Sequence, residues 1–177
     1  MRIIGGKYKS RRIKAPANLN LRPTTDFAKE SLFNILENKV EWETTHALDL
    51  FSGTGSIALE LVSRGCPRVV SVEMNVKNYR FICKAKEILA ADELMAIKGD
   101  VFKFLKNRNE AFNFVFADPP YSLPRLETLP QLVIDNGWVA DNGLFVFEHS
   151  KNFSFSHLPH FQEERRYGSV HFSIFTF

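Results

Sequence analysis

The consecutive residues Asp118-Pro119-Pro120-Tyr121 are the part of this sequence best suited to chemistry. Two prolines fix the backbone and remove two amide donors, so the Asp118 carboxylate and the Pro119 carbonyl become rigid acceptors. The two hydrogens of a planar amino group match such a pair, and Tyr121 offers a flat face on which a heterocycle can stack. The motif predicts a site that holds an exocyclic amino group for methylation. A tight turn after a strand is the alternative.

An uncharged segment, 112–117, precedes this motif and is rich in aromatic and β-branched residues. Such a run is typical of a strand that is covered on both faces of a parallel sheet. The motif therefore begins where a strand ends. In open α/β sheets, this is the edge at which ligands bind.

A glycine turn follows a second predicted strand, 47–51, and opens a helix over 57–64. Gly53, Gly55 and Ala58 fit the dinucleotide pattern G-x-G-x-x-G/A, which would suit NAD as well. Asp49 favours S-adenosylmethionine, because an acid in an apolar strand is costly to bury without a hydrogen bond or a cationic ligand. That cofactor carries an amino group and a sulfonium but no phosphate. Alternatively, the amides of the loop satisfy Asp49.

Acidic residues stand at or near the ends of four successive predicted strands. Glu73 lies 20 residues after Gly53, where an acid would take ribose hydroxyls. Asp100 is placed to accept from the adenine amino group, or to cap a short helix over 101–105. The neighbours of these acids complete the predicted cofactor contacts, which are Asp49, Phe51, Gly53, Gly55, Glu73, Met74, Asp100 and Val101.

These motifs resemble those of class I S-adenosylmethionine-dependent methyltransferases, and more closely those of the RsmD family. The closer resemblance rests on 2–6, 21–26, 30–34 and 136–138, and it extends from Arg2 to Glu148. It implies methylation of the N2 amino group of a guanine in 16S ribosomal RNA, with Asp118, Pro119 and Tyr121 as catalytic residues. It also places the segment with Arg22 and Thr24 beside the cofactor and the incoming base. One departure is Phe27, where family members often carry Arg.

The first 14 residues contain six cations and no acid. Such a cluster suits contact with phosphates, and we predict that Lys9, Arg11 and Arg12 contact RNA. Apolar residues interleave with the charges, which predicts a β-hairpin that is docked on the domain. A solvated flexible arm is the alternative. The remaining predicted substrate contacts are Arg22, Thr24, Pro120 and Glu148, the last at the end of a hydrophobic strand over 144–147.

The predicted architecture is a Rossmann-like α/β fold, with a doubly wound, mostly parallel seven-stranded sheet and helices on both faces. A basic extension, 1–22, packs on a single methyltransferase domain, 23–177. The alternation over 172–177 predicts a final antiparallel strand at the sheet edge. A chain of 177 residues with 45% hydrophobic content suits one full core.

Two cysteines without paired spacing predict neither a disulfide framework nor a metal site, and the cytoplasm is the expected compartment. The expected partner is 16S ribosomal RNA, within an assembling or assembled small subunit. Three alternatives stay open from the sequence. They are a DNA adenine or cytosine amino-methyltransferase, a protein glutamine methyltransferase, and a catalytically idle RNA-binding protein of the same fold.

Overall fold

The computed structural model describes residues 1–14 and 26–177, which form a seven-stranded sheet with helices on both faces. The strands run in the order β3-β2-β1-β4-β5-β7-β6 across the sheet. Neighbours among β1 to β5 pair in parallel, and β7 pairs antiparallel with both β5 and β6. The strand bounds are β1 His46–Leu50, β2 Arg68–Glu73, β3 Leu94–Lys98, β4 Phe112–Ala117, β5 Val139–His149, β6 Phe161–Tyr167 and β7 Val170–Thr176.

Five α-helices are present in the described residues, and they divide between the two faces of the sheet. One apolar cluster packs α1, α2 and α3 on one face, and a second packs α4 and α5 on the other. The helix bounds are α1 Asp26–Leu36, α2 Ser56–Arg64, α3 Val76–Leu89, α4 Val101–Phe104 and α5 Leu129–Asp135. The doubly wound, mostly parallel architecture predicted from the sequence is confirmed. None of the described helices is long and apolar enough to cross a membrane.

The order of the strands reverses at the centre of the sheet, between β1 and β4. From β1 the chain adds β2 and β3 on one side, and it then returns to add β4 and β5 on the other. Parallel pairing aligns Leu50 with Ala117, so the loops after β1 and β4 leave the sheet side by side. Such a reversal opens a crevice at the carboxyl ends of the strands, where α/β proteins bind their ligands.

The last strand is not at the edge of the sheet, and the prediction of a final edge strand was wrong. β7 lies between β5 and β6, and six of its seven residues are buried. On this side of the sheet the edge is β6, whose residues 163–166 are all charged and none of them is buried. Charged side chains are a common protection for an exposed edge strand, whereas an apolar strand is stabilised between two neighbours.

The N-terminal segment, 1–14, folds back on itself and docks on α2. A single antiparallel bridge joins Arg2 to Arg12, and a 3-10 helix over Gly6–Tyr8 forms the turn. The predicted β-hairpin is therefore not confirmed as a pair of regular strands. At Gly6, with φ of 70°, an added Cβ would lie 1.7 Å from the Ser63 carbonyl oxygen, so the backbone approaches α2 too closely for a side chain.

Buried polar groups hold this segment in place. Both oxygens of the buried Glu60 carboxylate accept backbone amides, from Ile4 at 2.8 Å and from Gly5 at 2.7 Å. Lys29 of α1, also buried, lies 3.4 Å from Glu60 and donates to the Arg2 carbonyl at 2.7 Å. Burial lowers the pKa of Lys29, and the charge of Glu60 opposes that shift. The segment is thus anchored by a buried ion pair, not left as a free arm.

Candidate active site at the strand reversal

The loop after β1 is built from residues with positive φ angles. Phe51, Gly53 and Gly55 have φ of 62°, 56° and 74°. The Gly55 amide donates to the Ser52 carbonyl at 2.7 Å, which closes the turn directly before α2. A Cβ at Gly55 would stand 3.1 Å from Ile82 of α3, so strain and close packing both favour glycine there. The predicted glycine turn thus brings the backbone to the crevice.

Asp49 lies beneath this loop and is buried, with 1% of its surface exposed. Its Oδ2 accepts the Ala58 amide of α2 at 3.1 Å, so the contact with a backbone amide that the sequence left as the alternative is present. Burial raises the pKa of Asp49 to about 8, and the charges of Asp118 and Glu73 contribute to the rise. The acidic side chains at the carboxyl ends of β1, β2 and β4 therefore interact electrostatically in one place.

Glu73 ends β2 and joins two loops of the crevice. Its Oε2 accepts the Gly53 amide at 2.7 Å, and its Oε1 accepts the Asn75 amide at 2.7 Å. Burial raises its pKa, and these amide hydrogen bonds act in the opposite direction. The contact with ribose hydroxyls that the sequence predicted for Glu73 stays a prediction. The adjacent Met74 is 65% exposed at the same edge.

Asp100 follows β3 and caps a helix, as its alternative interpretation predicted. Its Oδ1 accepts the Lys103 amide at 2.9 Å, and Val101 begins α4 as a buried residue. Lys98 is paired with Glu73 in the register of β2 and β3, so Asp100 lies at the same end of the sheet as the other acids. The cap accounts for one of its oxygens. A contact with the cofactor through the other stays a prediction.

The Asp-Pro-Pro-Tyr motif begins immediately after β4, beside the loop that follows β1. The Asp118 amide lies 3.4 Å from the Leu50 carbonyl, which continues the parallel pairing by one residue. Pro119 is buried and Pro120 is exposed, and the Pro120 carbonyl accepts the Leu123 amide at 2.8 Å. The turn that the sequence offered as the alternative thus exists, and Asp118 lies between the end of β4 and this turn.

Tyr121 is anchored to a neighbouring strand. Its hydroxyl donates to Oε1 of Glu148 at 3.3 Å, and Glu148 is only 3% exposed near the end of β5. The structure thus brings together two residues that the sequence predicted separately, one as a stacking surface and one as a substrate contact. The hydrogen bond holds the outer end of the Tyr121 ring near β5, so its aromatic face stays at this edge of the sheet.

The predicted RNA contacts of the N-terminal segment are exposed. Lys9, Arg11 and Arg12 all face solvent, and the Arg11 guanidinium lies 5.9 Å from the centre of the Tyr8 ring. Within residues 1–14 and 26–177, none of these three cations forms an ion pair. Arg22 and Thr24 lie outside the described residues. Phe27, the departure from the family pattern, is 69% exposed, and its ring contacts Tyr167 edge-on at 6.2 Å.

Sequence reasoning missed Lys29 and Glu60, which link the N-terminal segment to the glycine loop. Lys29 also donates to the Ser56 hydroxyl at 3.0 Å, and Ser56 is the first residue of α2 after the loop. The sequence feature that could have indicated a buried, paired acid is the position of Glu60 within the apolar run 57–62 of α2. In the described part of the chain, no group of three His, Cys, Asp or Glu side chains is arranged to hold a metal ion.

The comparisons with known proteins agree on the family. A family model with the description "Conserved hypothetical protein 95" matches residues 1–176. The chain is 31% identical to ribosomal RNA small subunit methyltransferase D of Buchnera aphidicola subsp. Baizongia pistaciae, over 99% of this chain and 91% of that protein.

Solved structures show the same fold. A hypothetical protein of Thermus thermophilus superposes with a TM-score of 0.88 at 27% identity, and the match covers 100% of this chain and 99% of that one. Coclaurine N-methyltransferase bound to N-methylheliamine and SAH, at 20% identity and a TM-score of 0.59, shares the fold over 77% of this chain and 40% of its own. The chain therefore belongs to the RsmD family of methyltransferases, the family described as conserved hypothetical protein 95.

Proposed function

We propose that the protein transfers a methyl group from S-adenosylmethionine to the N2 amino group of a guanine in 16S ribosomal RNA, within the small ribosomal subunit. The observation that carries this proposal is the position of Asp118-Pro119-Pro120-Tyr121 at the strand reversal, beside the buried acids Asp49 and Glu73. Family membership supports ribosomal RNA as the substrate class, because the relative named above is a ribosomal RNA small subunit methyltransferase. The choice of guanine follows the family resemblance.

The residues of the crevice fit a cationic cofactor. Asp49 is buried and its pKa is raised to about 8, so a nearby positive charge would favour its ionised form. An α-amino group or a sulfonium supplies such a charge, whereas a pyrophosphate would gain nothing from a carboxyl group beneath the loop. The glycine loop allows close approach of a ligand, and Glu73 ends β2 beside this loop, where ribose hydroxyls would reach its carboxylate. Phe51, Met74, Asp100 and Val101 complete the proposed cofactor site.

The bound cofactor supplies an electrophilic methyl carbon, and the chain positions the amino group that attacks it. Asp118 and the Pro119 carbonyl accept the two amino hydrogens, which keeps the nitrogen lone pair from delocalising into the base. The base lies on the ring of Tyr121, whose hydroxyl donates to Glu148, and Pro120 borders it. Extrusion of the base from its surroundings precedes this contact, as in other enzymes that modify bases.

Positioning is the main contribution, since well-oriented reactants lower a barrier by roughly 7–11 kcal/mol. As the nitrogen–carbon bond forms and the carbon–sulfur bond breaks, the nitrogen becomes cationic. The Asp118 carboxylate stabilises that charge until one proton leaves to solvent. The two electrons of the broken bond remain on sulfur, so the reaction requires no oxidant or reductant.

The test is transfer of labelled methyl from S-adenosylmethionine to small ribosomal subunits that lack the modification, to protein-free 16S RNA and to duplex DNA. Digestion to nucleosides then identifies the product. The expected product is N2-methylguanosine in ribosomal RNA, and none with Asp118→Asn. Label in DNA alone would instead favour the DNA enzyme, and label in a glutamine amide of a protein would favour the protein enzyme. Cofactor binding without transfer to any substrate would indicate an idle binding protein.

A further inference from the structure

A groove separates the N-terminal segment from helix α3, away from the crevice. It has a volume of about 290 Å³ and is lined by Arg12, Ile13, Lys14, Phe81, Lys84 and Ile88. α3 begins at Val76, directly after the loop of Glu73, so Lys84 and Ile88 lie about 12 and 18 Å along the helix from the crevice. The groove therefore lies on the side of the domain formed by α3 and the N-terminal segment, separate from the proposed cofactor and amino-group sites.

Among the residues that the structure describes, three cations and no acid line the groove. Arg12, Lys14 and Lys84 are exposed, and within residues 1–14 and 26–177 none of the three is engaged in an ion pair. Lys77 and Arg80 are exposed on the same side of α3 as Lys84, because residues spaced by three or four positions share a helix face. Three cations thus stand on this side of α3 between the crevice and the groove.

The floor of the groove is apolar. Ile13 and Phe81 are each 7% exposed, whereas Ile88 is 56% exposed and stands at the border. A purely electrostatic contact with phosphate would not need such a floor. Cations around an apolar surface match a nucleotide, whose phosphates take the charges and whose base covers the hydrocarbon. The volume lies just below the roughly 300–1,000 Å³ typical of sites for drug-sized ligands, which suits one nucleotide.

We propose that this groove binds one nucleotide of the substrate RNA, distinct from the guanine that is methylated. Its base lies against Phe81 and Ile88, and its flanking phosphates contact Arg12, Lys14 and Lys84. Lys77 and Arg80 guide the intervening RNA along α3 between the groove and the crevice. This inference rests on the proposed function, because it extends the binding of the same RNA to a second face of the protein. It gives α3 a role in holding the substrate.

The experiment compares Lys84→Ala and Ile88→Ser in the full-length protein, with a fluorescent fragment of 16S RNA and a salt titration. Lys84→Ala is expected to weaken RNA binding about five- to tenfold and to lower the salt slope by about 0.7–0.9, the value for one lost phosphate contact. Ile88→Ser is expected to weaken binding about threefold or more with an unchanged slope, since a base contact releases no counterions. The matched control is Lys106→Ala, an exposed cation that follows α4 on the opposite face of the sheet.

Methyl transfer separates this inference from the proposed function. Both variants should raise KM for RNA, keep kcat within about twofold at saturating RNA, and leave the affinity for S-adenosylmethionine unchanged. If wild-type protein methylates RNA while both variants bind RNA with wild-type affinity and slope, the groove proposal is wrong and the proposed function stands. If wild-type protein methylates no RNA, the proposed function fails. In that case, wild-type RNA binding by both variants would still contradict the groove proposal. A lower salt slope for Lys84→Ala with an unchanged slope for Ile88→Ser would still support it.

Discussion

Replacement of Glu60 by Gln is expected to lower the free energy of unfolding by about 3–5 kcal/mol, the usual loss when one partner of a buried ion pair is removed. Glu60 is fully buried and lies 3.4 Å from Lys29 and 3.0 Å from Arg64. Its two oxygens also accept the Ile4 and Gly5 amides. Gln preserves the volume but removes the charge, and its amide nitrogen would face one of these two donors.

The partner substitution Lys29→Met should cost less, about 1–3 kcal/mol, and the structure gives the reason. After loss of the amine, Glu60 keeps the Arg64 guanidinium and both amides, so no charge is left alone. Lys29 is already disfavoured by burial, which lowers its pKa, and Met occupies similar space without that penalty. Comparison of the two losses in the free energy of unfolding therefore tests whether Glu60 contributes more to stability than Lys29.

Urea unfolding at constant pH measures both losses through the transition midpoint, with the slope checked for two-state behaviour. Hydrogen exchange adds a local measurement. The Ile4 and Gly5 amides should exchange about a hundredfold faster or more in Glu60→Gln, because their acceptor is altered. Glu87→Gln, an exposed site on α3, serves as the control and should stay within about 0.5 kcal/mol of wild type. A loss below about 1 kcal/mol for Glu60→Gln, or a greater loss for Lys29→Met, would refute the reasoning.

Three further predictions concern the crevice. Asp118→Ala should abolish methyl transfer with little change in cofactor affinity, whereas Glu73→Ala should weaken cofactor binding first. Calorimetry and turnover together test this, and equal losses of affinity would contradict it. Because the pKa of Asp49 is about 8 in the folded state and about 4 when unfolded, the folded protein holds an extra proton between these values, and this group makes stability fall as pH rises through that window. Asp49→Asn should flatten the fall measured by urea unfolding between about pH 5 and 8, and an unchanged profile would rule out Asp49 as its source. Tyr121→Phe should keep most of kcat/KM, whereas Tyr121→Ala should lower it about tenfold or more through loss of stacking, so equal activity of the two would exclude stacking.

Local patterns were sufficient to predict the elements that build the crevice. β4 has the bounds that its uncharged run predicted, and the glycine turn after β1 stands where Gly53 and Gly55 indicated. Both features depend on residues that are close in sequence. The parallel order of the central strands then follows from the general rules of α/β folds. For this reason, the position of Asp49 and Asp118 at the same end of the sheet was predictable.

Features that depend on distant pairing were not predictable in the same way. The apolar alternation of β7 indicates a strand, but its neighbours β5 and β6 are chosen by packing across the whole sheet. Likewise, Glu60 could be recognised as an acid in an apolar run, but its partner Lys29 lies far away in the sequence, on another helix. The role of Asp100 remained open because a helix cap and a ligand contact require the same residue at the same place.

The two amide hydrogen bonds of Glu73 mean that the glycine loop after β1 is already shaped before any ligand arrives. Gly53 loses its backbone freedom when the chain folds, because its amide is fixed to the end of β2. A glycine-rich loop would otherwise lose that freedom on binding, which weakens affinity. The carboxylate that is proposed to bind the ribose thus also fixes the conformation of the loop in the absence of the cofactor. A variant that shortens it should bind the cofactor with a more unfavourable entropy, even where the remaining contacts are unchanged.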